Sequence, residues 1–403
     1  MTRVASAGLA VALAALVWIL LHLGWYPHGQ IVDYPVYERY GDSIDFTHTV
    51  PYRDFHLEYP PGALPVFMLA SYLGHNGDFR ADFQVLMLAC FVLLVLAVLA
   101  LAGRRAAVLA AIAPLLLGSV VLSRYDLWPT MLAAGGIALL ALGAPAGAAV
   151  LLASSFAAKL WAAALIPLAV IWIWKREGRR RALEWLGATV LVAAAWFGPF
   201  VVASPAGVGH MFYLQLARPL QIESLGSSLL IALHHLGGTS LHVVSTFGAQ
   251  NVSGTGVGAV TFLTSALELA SLAGIYWLFA RGEPTVDRLL LCCAAATTTL
   301  IVFGKVFSPQ FLIWLIPFIP LSRRLPVWAL FAVGLVLTQV YFPRRYWDYV
   351  ALHSTESWLV LARNLTLVGV LAALVYAIQG ATASSSARAS SPVSPRSGAQ
   401  TSG

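Results

Sequence analysis

The amino-acid sequence predicts an all-α polytopic membrane protein, and three observations carry that prediction. Of 403 residues, 59% are hydrophobic and only 10% are charged, whereas a soluble chain carries about 25% charged residues. The apolar residues gather into runs that approach or reach the roughly 20 residues a helix needs to cross a bilayer core. Between those runs the basic residues fall in short clusters at alternate turns, the pattern that marks one face of a membrane.

The elements follow in order. Residues 1–24 open with Arg3 and an apolar stretch, and no small-x-small cleavage site precedes Trp25. An uncleaved first span is therefore expected over 4–24. Further runs lie near 81–102, 105–123, 127–143, 183–203, 258–280, 287–304, 327–342 and 357–379. The stretch 146–174 is interrupted by Lys159; two short helices meeting at an outer turn keep that charge out of mid-membrane. Run 308–320 is also short, and 63–73 reads as re-entrant or interfacial. About twelve crossings result, with both termini on the same side.

Arg104-Arg105, Lys175-Arg176 with Arg179 to Arg181, and Arg323-Arg324 then share one face. That face holds 14 of the 24 basic residues and four acidic ones, while the other holds ten basic and twelve acidic residues. The rule that cytoplasmic loops are basic makes the first face cytoplasmic. The net charge of +7 is thereby a topology signal, and no clustered basic surface supports nucleic-acid binding. Long outer segments span 25–80, 204–257 and 341–357. A membrane domain over 1–380 precedes a Ser/Ala/Pro-rich stretch, 381–403, expected to be a disordered cytoplasmic tail. Cys90, Cys292 and Cys293 all lie in apolar runs, so no disulfide framework or CxxC metal site is expected. His234, His235 and His242 do not make a metal set, because adjacent residues cannot share one helix face.

The first outer segment has the densest polar content. Tyr37, Tyr40 and Ile44 alternate at helical spacing with Glu38, Arg39, Asp42 and Asp45, so an interfacial amphipathic helix is expected after Asp33. PYRDF and EYPPGALPVF follow, the paired prolines fixing an extended backbone at 59–62.

The order D-x-x-VY from Asp33, PYRDF and EYPPGALPVF resembles the polyprenol-phosphate-sugar glycosyltransferases of family 87, a GT-C group common in actinobacteria. RYDLWP at 124–129, AAKLW at 157–161, ARPLQIESLGSS at 217–228 and GKVFSPQFLIWLIP at 304–317 extend the resemblance over roughly 30–345. It implies a GT-C-type helical bundle in the plasma membrane. The implied reaction moves a sugar from a polyprenyl-phosphate donor to a lipid or glycan acceptor, such as a lipoglycan of the cell envelope. Transfer is on the external face, with inversion and no cofactor. Mannose is the first sugar implied and arabinofuranose the second. In such enzymes a carboxylate of the first outer loop acts as base, and Asp33 matches it.

The residues supply candidates for that chemistry, each with a plainer structural counterpart. An inverting displacement needs a base for the acceptor hydroxyl and cations for the departing phosphate. Asp33 fills the first role, or caps the helix beginning near Pro35. Lys159, Lys305, Arg124 and Arg218 are candidates for the phosphate, or snorkel to the interface. Glu58, Asp126, Glu223 with Ser224, and Gln310 offer groups for sugar and acceptor hydroxyls, and Glu58 is also placed to orient Arg53; alternatively Glu58 is a plain surface carboxylate, and Asp126 pairs locally with Arg124. Tyr37, Tyr59 and Trp161 are stacking candidates, or members of an interfacial aromatic belt. A transporter or lipid flippase is the rival reading. It predicts charges at the midplane and repeat symmetry, and the sequence halves do not match.

Overall fold

A computed structural model describes residues 3–23, 31–74 and 77–389, with the backbone alone for Arg3 and 381–389. Helix α1 (Arg3–Leu20) packs along α4 (Phe79–Leu117), while α2 (Tyr34–Asp45) and α3 (Leu64–Gly74) fold over one end of the bundle. A one-turn α5 (Val120–Ser123) leads to the hairpin of α6 (Leu127–Ala141) and α7 (Pro145–Ala158). Then come α8 (Ile166–Glu177), α9 (Arg179–Ala203), α10 (Pro205–Leu216) and α11 (Leu225–His235). Strands β1 (Leu241–Thr246) and β2 (Ala249–Gly254) precede α12 (Val257–Arg281) and α13 (Val286–Phe303). The chain ends with α14 (Leu315–Leu321), α15 (Leu325–Tyr341), α16 (Tyr346–Val350) and α17 (Ser354–Ala389).

Each of the twelve apolar runs is helical in whole or part. Among the described residues, five helices, α4, α9, α12, α13 and the 354–380 part of α17, are long and apolar enough to cross a membrane alone. α13 is buried at the bundle centre, whereas α9 and α12 leave most of their apolar side chains outward, which suits contact with lipid tails. The segment 63–73 begins at the end of a 3-10 turn (Pro61–Ala63) and continues as α3, packed on α2 and α4. α17 continues through Ala389, into the stretch read as tail; 390–403 lie outside the described residues.

Two breaks follow directly from residue type. α4 is interrupted at Gly103, whose φ of 79° lies in the left-handed region that glycine enters without a Cβ clash. The run 146–174 breaks at Lys159, extended between α7 and a 3-10 turn over Leu160–Leu165. The second outer segment adds a two-stranded antiparallel hairpin, Leu241 opposite Gly254 through Thr246 opposite Ala249. Its two-residue turn puts Phe247 and Gly248 at φ 54° and 65°, the primed geometry that matches strand twist.

The basic turns gather at one end of the bundle. Arg323 donates to the Leu101 carbonyl at 2.8 Å and pairs with Asp287 at 3.2 Å. Lys175 donates to the Ala280 and Gly282 carbonyls. The remaining turns meet at the opposite end, around a cavity.

Candidate functional site

The cavity has a volume of about 630 Å³ and is lined from several separate parts of the chain. The first outer segment brings Asp33, Tyr37, Glu58 and Tyr59; the turns after α5 and α7 bring Arg124 and Lys159. The second outer segment brings Arg218, Gln221, Glu223 and Gly248. Lys305 and Gln310 come from the connection after α13, and Phe342 and Tyr346 from beyond α15. Every candidate read from the sequence lines this space except Asp126 and Ser224, both fully buried.

Asp33 stands at the N-cap position of α2, with Pro35 in the first turn, yet its side chain makes no cap hydrogen bond. Instead the carboxylate pairs with Arg124 and accepts from Tyr37 Oη at 3.2 Å. Burial pushes the Tyr37 phenol well above its ordinary value, so it stays a donor to Asp33. Tyr37 is itself wedged flat against Phe67, ring centroids 4.6 Å apart, and edge-on to Tyr59 at 5.8 Å. Arg124 is buried and also reaches the Ile31 carbonyl at 3.4 Å.

Lys159 has no acidic neighbour in sequence but has one in space. Its Nζ lies 2.6 Å from Asp126 Oδ1, which also accepts from Trp314 Nε1 at 2.6 Å. The ammonium is boxed by Tyr125, Phe311 and Trp314, 4.8 to 5.5 Å from their ring centroids. Asp126 is fully buried beneath the cavity wall. It is neither among the residues lining the cavity nor paired with Arg124, which is taken by Asp33. Its place is to hold Lys159.

Glu58 pairs with Arg218 at 3.4 Å, while Arg53 pairs with its neighbour Asp54, so Glu58 does not orient Arg53. The YPPG turn that carries Glu58 and Tyr59 is pressed onto the end of α7. A Cβ on Gly62 would fall 2.5 Å from the Ala158 nitrogen, and only glycine allows that approach. Glu58, Tyr59 and Lys159 thus share one wall.

The opposite wall is stitched by backbone bonds. Gln221 N donates to the Lys305 carbonyl at 2.9 Å, Ile222 N to Gln250 at 3.0 Å and Val252 N to Leu220 at 2.9 Å. The hairpin therefore brings Gly248 to the cavity and fixes Lys305, whose Nζ donates to the Leu216 carbonyl at 2.5 Å. Glu223 is buried at the base, accepting from Tyr341 Oη. Its backbone carbonyl accepts from Arg363 at 3.0 Å and Asn364 at 3.2 Å.

Burial raises the Glu223 carboxyl to about 7, against the opposing pull of Arg363, the Tyr341 hydrogen bond and Arg124. A folded-state value above the unfolded one contributes stability that is complete below the unfolded value, near 4.5, and fades as pH rises through about 7. The wild-type protein is therefore expected to lose up to about 3 kcal/mol between pH 4.5 and 7.5 from this group. Glu223→Gln, which keeps the carbonyl acceptor for Tyr341, removes that component. Thermal unfolding of both proteins at pH 5, 6 and 7.5 checks it; parallel pH profiles overturn it.

Several cavity-lining groups escaped the sequence reading. Glu268 lines the cavity from α12; its signal was a lone charge inside an apolar run, which by default marks function. Gln221 sat within the ARPLQIES motif. Gln215, whose Nε2 donates to the Glu58 carbonyl at 2.9 Å, and Tyr346 carried no signal. Trp161, by contrast, is a stacking candidate of the sequence that does line the cavity, stacked on Trp314 with ring centroids 5.0 Å apart. Buried polar atoms of this lining lack a protein partner among the described residues: Arg124 Nε, Arg218 Nε, Trp161 Nε1 and Gln221 Oε1. Native proteins leave few such groups, and these four line one cavity.

No family model and no curated protein matches the sequence, but solved structures do. ArnT from Cupriavidus metallidurans bound to undecaprenyl phosphate is similar over 96% of this chain and 80% of its own, at TM-score 0.51 and 15% identity. The apo state of the same protein is similar over 93% and 74%, at TM-score 0.50 and 18% identity. The archaeal oligosaccharyltransferase AglB from Archaeoglobus fulgidus, in complex with an inhibitory peptide and a dolichol-phosphate, is similar over 93% and 56%, at TM-score 0.44 and 14% identity. At these identities the likeness is one of fold. The chain is a multi-pass membrane protein with the GT-C glycosyltransferase fold.

Proposed function

We propose that the protein transfers a sugar, mannose in the first instance, from a polyprenyl-phosphate donor to a lipid- or glycan-linked acceptor on the external face of the membrane. The observation that carries the reading is the single cavity in which carboxylates, four cations and unpartnered N–H groups converge from segments far apart in sequence. In one displacement the acceptor oxygen attacks the anomeric carbon and its proton passes to Asp33. The bond to the phosphate oxygen breaks, and the electron pair leaves on the phosphate, inverting the centre. Arg124, Arg218, Lys159 and Lys305 meet the growing phosphate charge. Glu58, Glu223, Gln310, Tyr37 and Tyr59 hold sugar and acceptor hydroxyls or stack against the ring. Asp126 acts through Lys159 as a positioning residue.

A polyprenyl-phosphate donor is supported by the likeness to ArnT bound to undecaprenyl phosphate. The external side is supported by the basic turns at the opposite end of the bundle. Mannose is supported by the family 87 motifs at Asp33, PYRDF and EYPPGALPVF. The test supplies purified full-length protein, reconstituted in bilayers, with labelled polyprenyl-phosphate mannose or arabinofuranose and an envelope extract. Mannose label is expected in a lipid or glycan product. Arabinose label alone reassigns the sugar, and transfer of neither overturns the reading.

A further inference from the structure

A second, smaller pocket of about 200 Å³ lies between the second half of α4 and the α14–α15 turn. Its lining includes Arg105, Arg323, Arg324, Leu325 and Trp328. It belongs to the basic end of the bundle. The half of α4 beyond Gly103, which runs from this pocket to the turn carrying Arg124, is about 21 Å long at 1.5 Å per residue. The pocket and the large cavity therefore lie toward opposite membrane interfaces.

Its chemistry is that of an anion site flanked by hydrocarbon. Arg323 is committed to structure: it sits at φ 56°, uncommon for a residue with a Cβ, and is held by the Leu101 carbonyl and Asp287. Arg105 and Arg324 make no ion pair among the described residues. Trp328 is half-buried, and its Nε1 is buried without a protein partner among the described residues. Exposed apolar side chains continue from the pocket along the helices. Val108 lies one turn from Arg105, and Val336 lies two turns from Trp328 on the same face of α15. Guanidinium groups and an indole N–H at the polar end, with aliphatic surface running toward mid-membrane, match the two halves of a phospholipid.

We propose that this pocket binds the phosphodiester headgroup of an anionic phospholipid in the leaflet opposite the large cavity, with its acyl chains along Val108 and Val336. Arg105 and Arg324 supply the charge selection, and Trp328 Nε1 donates to a headgroup oxygen. Nothing in this assignment depends on the sugar-transfer reading.

The test is native mass spectrometry of the purified, delipidated full-length protein titrated with phosphatidylglycerol or with phosphatidylcholine of the same acyl chains. Phosphatidylglycerol is expected to bind preferentially. Arg105→Gln/Arg324→Gln is expected to weaken that binding roughly thirtyfold, about fivefold for each arginine. Both side chains are exposed, so the fold should survive; an unchanged unfolding midpoint in detergent verifies that. Trp328→Phe, which keeps the ring and removes the donor, is expected to give a smaller loss in the same direction. Equal retention of both lipids, or wild-type retention by the double variant, overturns the proposal. So does displacement of the lipid by glycerol phosphate at matched concentration, because the ligand would then be a soluble phosphate.

Discussion

Asp33→Asn is expected to lower kcat for sugar transfer by roughly 10²- to 10⁴-fold, the range of a lost general base. Asparagine keeps the side-chain volume and an oxygen that still accepts from Tyr37, but it cannot take the acceptor proton. The change also deprives the buried Arg124 of its counter-charge. The Asp33 side chain is 29% exposed, so water tempers that cost and the protein should still fold. The measurement pairs the transfer rate from labelled donor with the unfolding midpoint. A variant that folds and transfers near the wild-type rate removes Asp33 from the proton step. A variant that loses rate only in proportion to its loss of folded protein reduces the residue to a brace for Arg124.

The largest stability effect is expected at Asp126→Ala, about 3–5 kcal/mol. Asp126 receives Lys159 Nζ and Trp314 Nε1, both at 2.6 Å, in a fully buried place. Removing the carboxylate leaves an ammonium among Tyr125, Phe311 and Trp314 with its opposite charge gone. Asp126→Leu/Lys159→Met replaces both charges by apolar groups and should recover most of the loss. It should nonetheless fail in transfer, because Lys159 no longer faces the donor phosphate. Unfolding midpoints of the single and double variants in one detergent test the pair. A loss below about 0.5 kcal/mol at Asp126→Ala, the scale of an ordinary surface change, would contradict the buried pairing.

The helices were legible because a bilayer imposes contiguous apolar runs, and contiguity is what a linear sequence displays. The break at Lys159 was legible for the same reason: a charge amid apolar residues has few places to go. Pairings were not. Arg124 lies two residues from Asp126 and 91 from Asp33, yet it pairs with the distant one, while Asp126 is taken by Lys159. Lys159 finds Asp126 only through the antiparallel return of α7 along α6. Glu58 finds Arg218 only because α10 folds back over the YPPG turn. The hairpin was missed because β1 and β2 are too short and polar to show strong alternation within an outer segment.

Three of the four cavity cations arrive already matched: Arg124 to Asp33, Lys159 to Asp126 and Arg218 to Glu58. This arrangement acts on selectivity. A cleft of bare cations beside a bilayer would attract any anionic lipid headgroup. Here a visitor must offer the guanidinium and ammonium groups more than a carboxylate already gives. A phosphate with several oxygens in one compact tetrahedron meets that threshold better than an isolated carboxylate does. On the proposed sugar-transfer reading, the carboxylates would then act as built-in competitors that keep weak anions out.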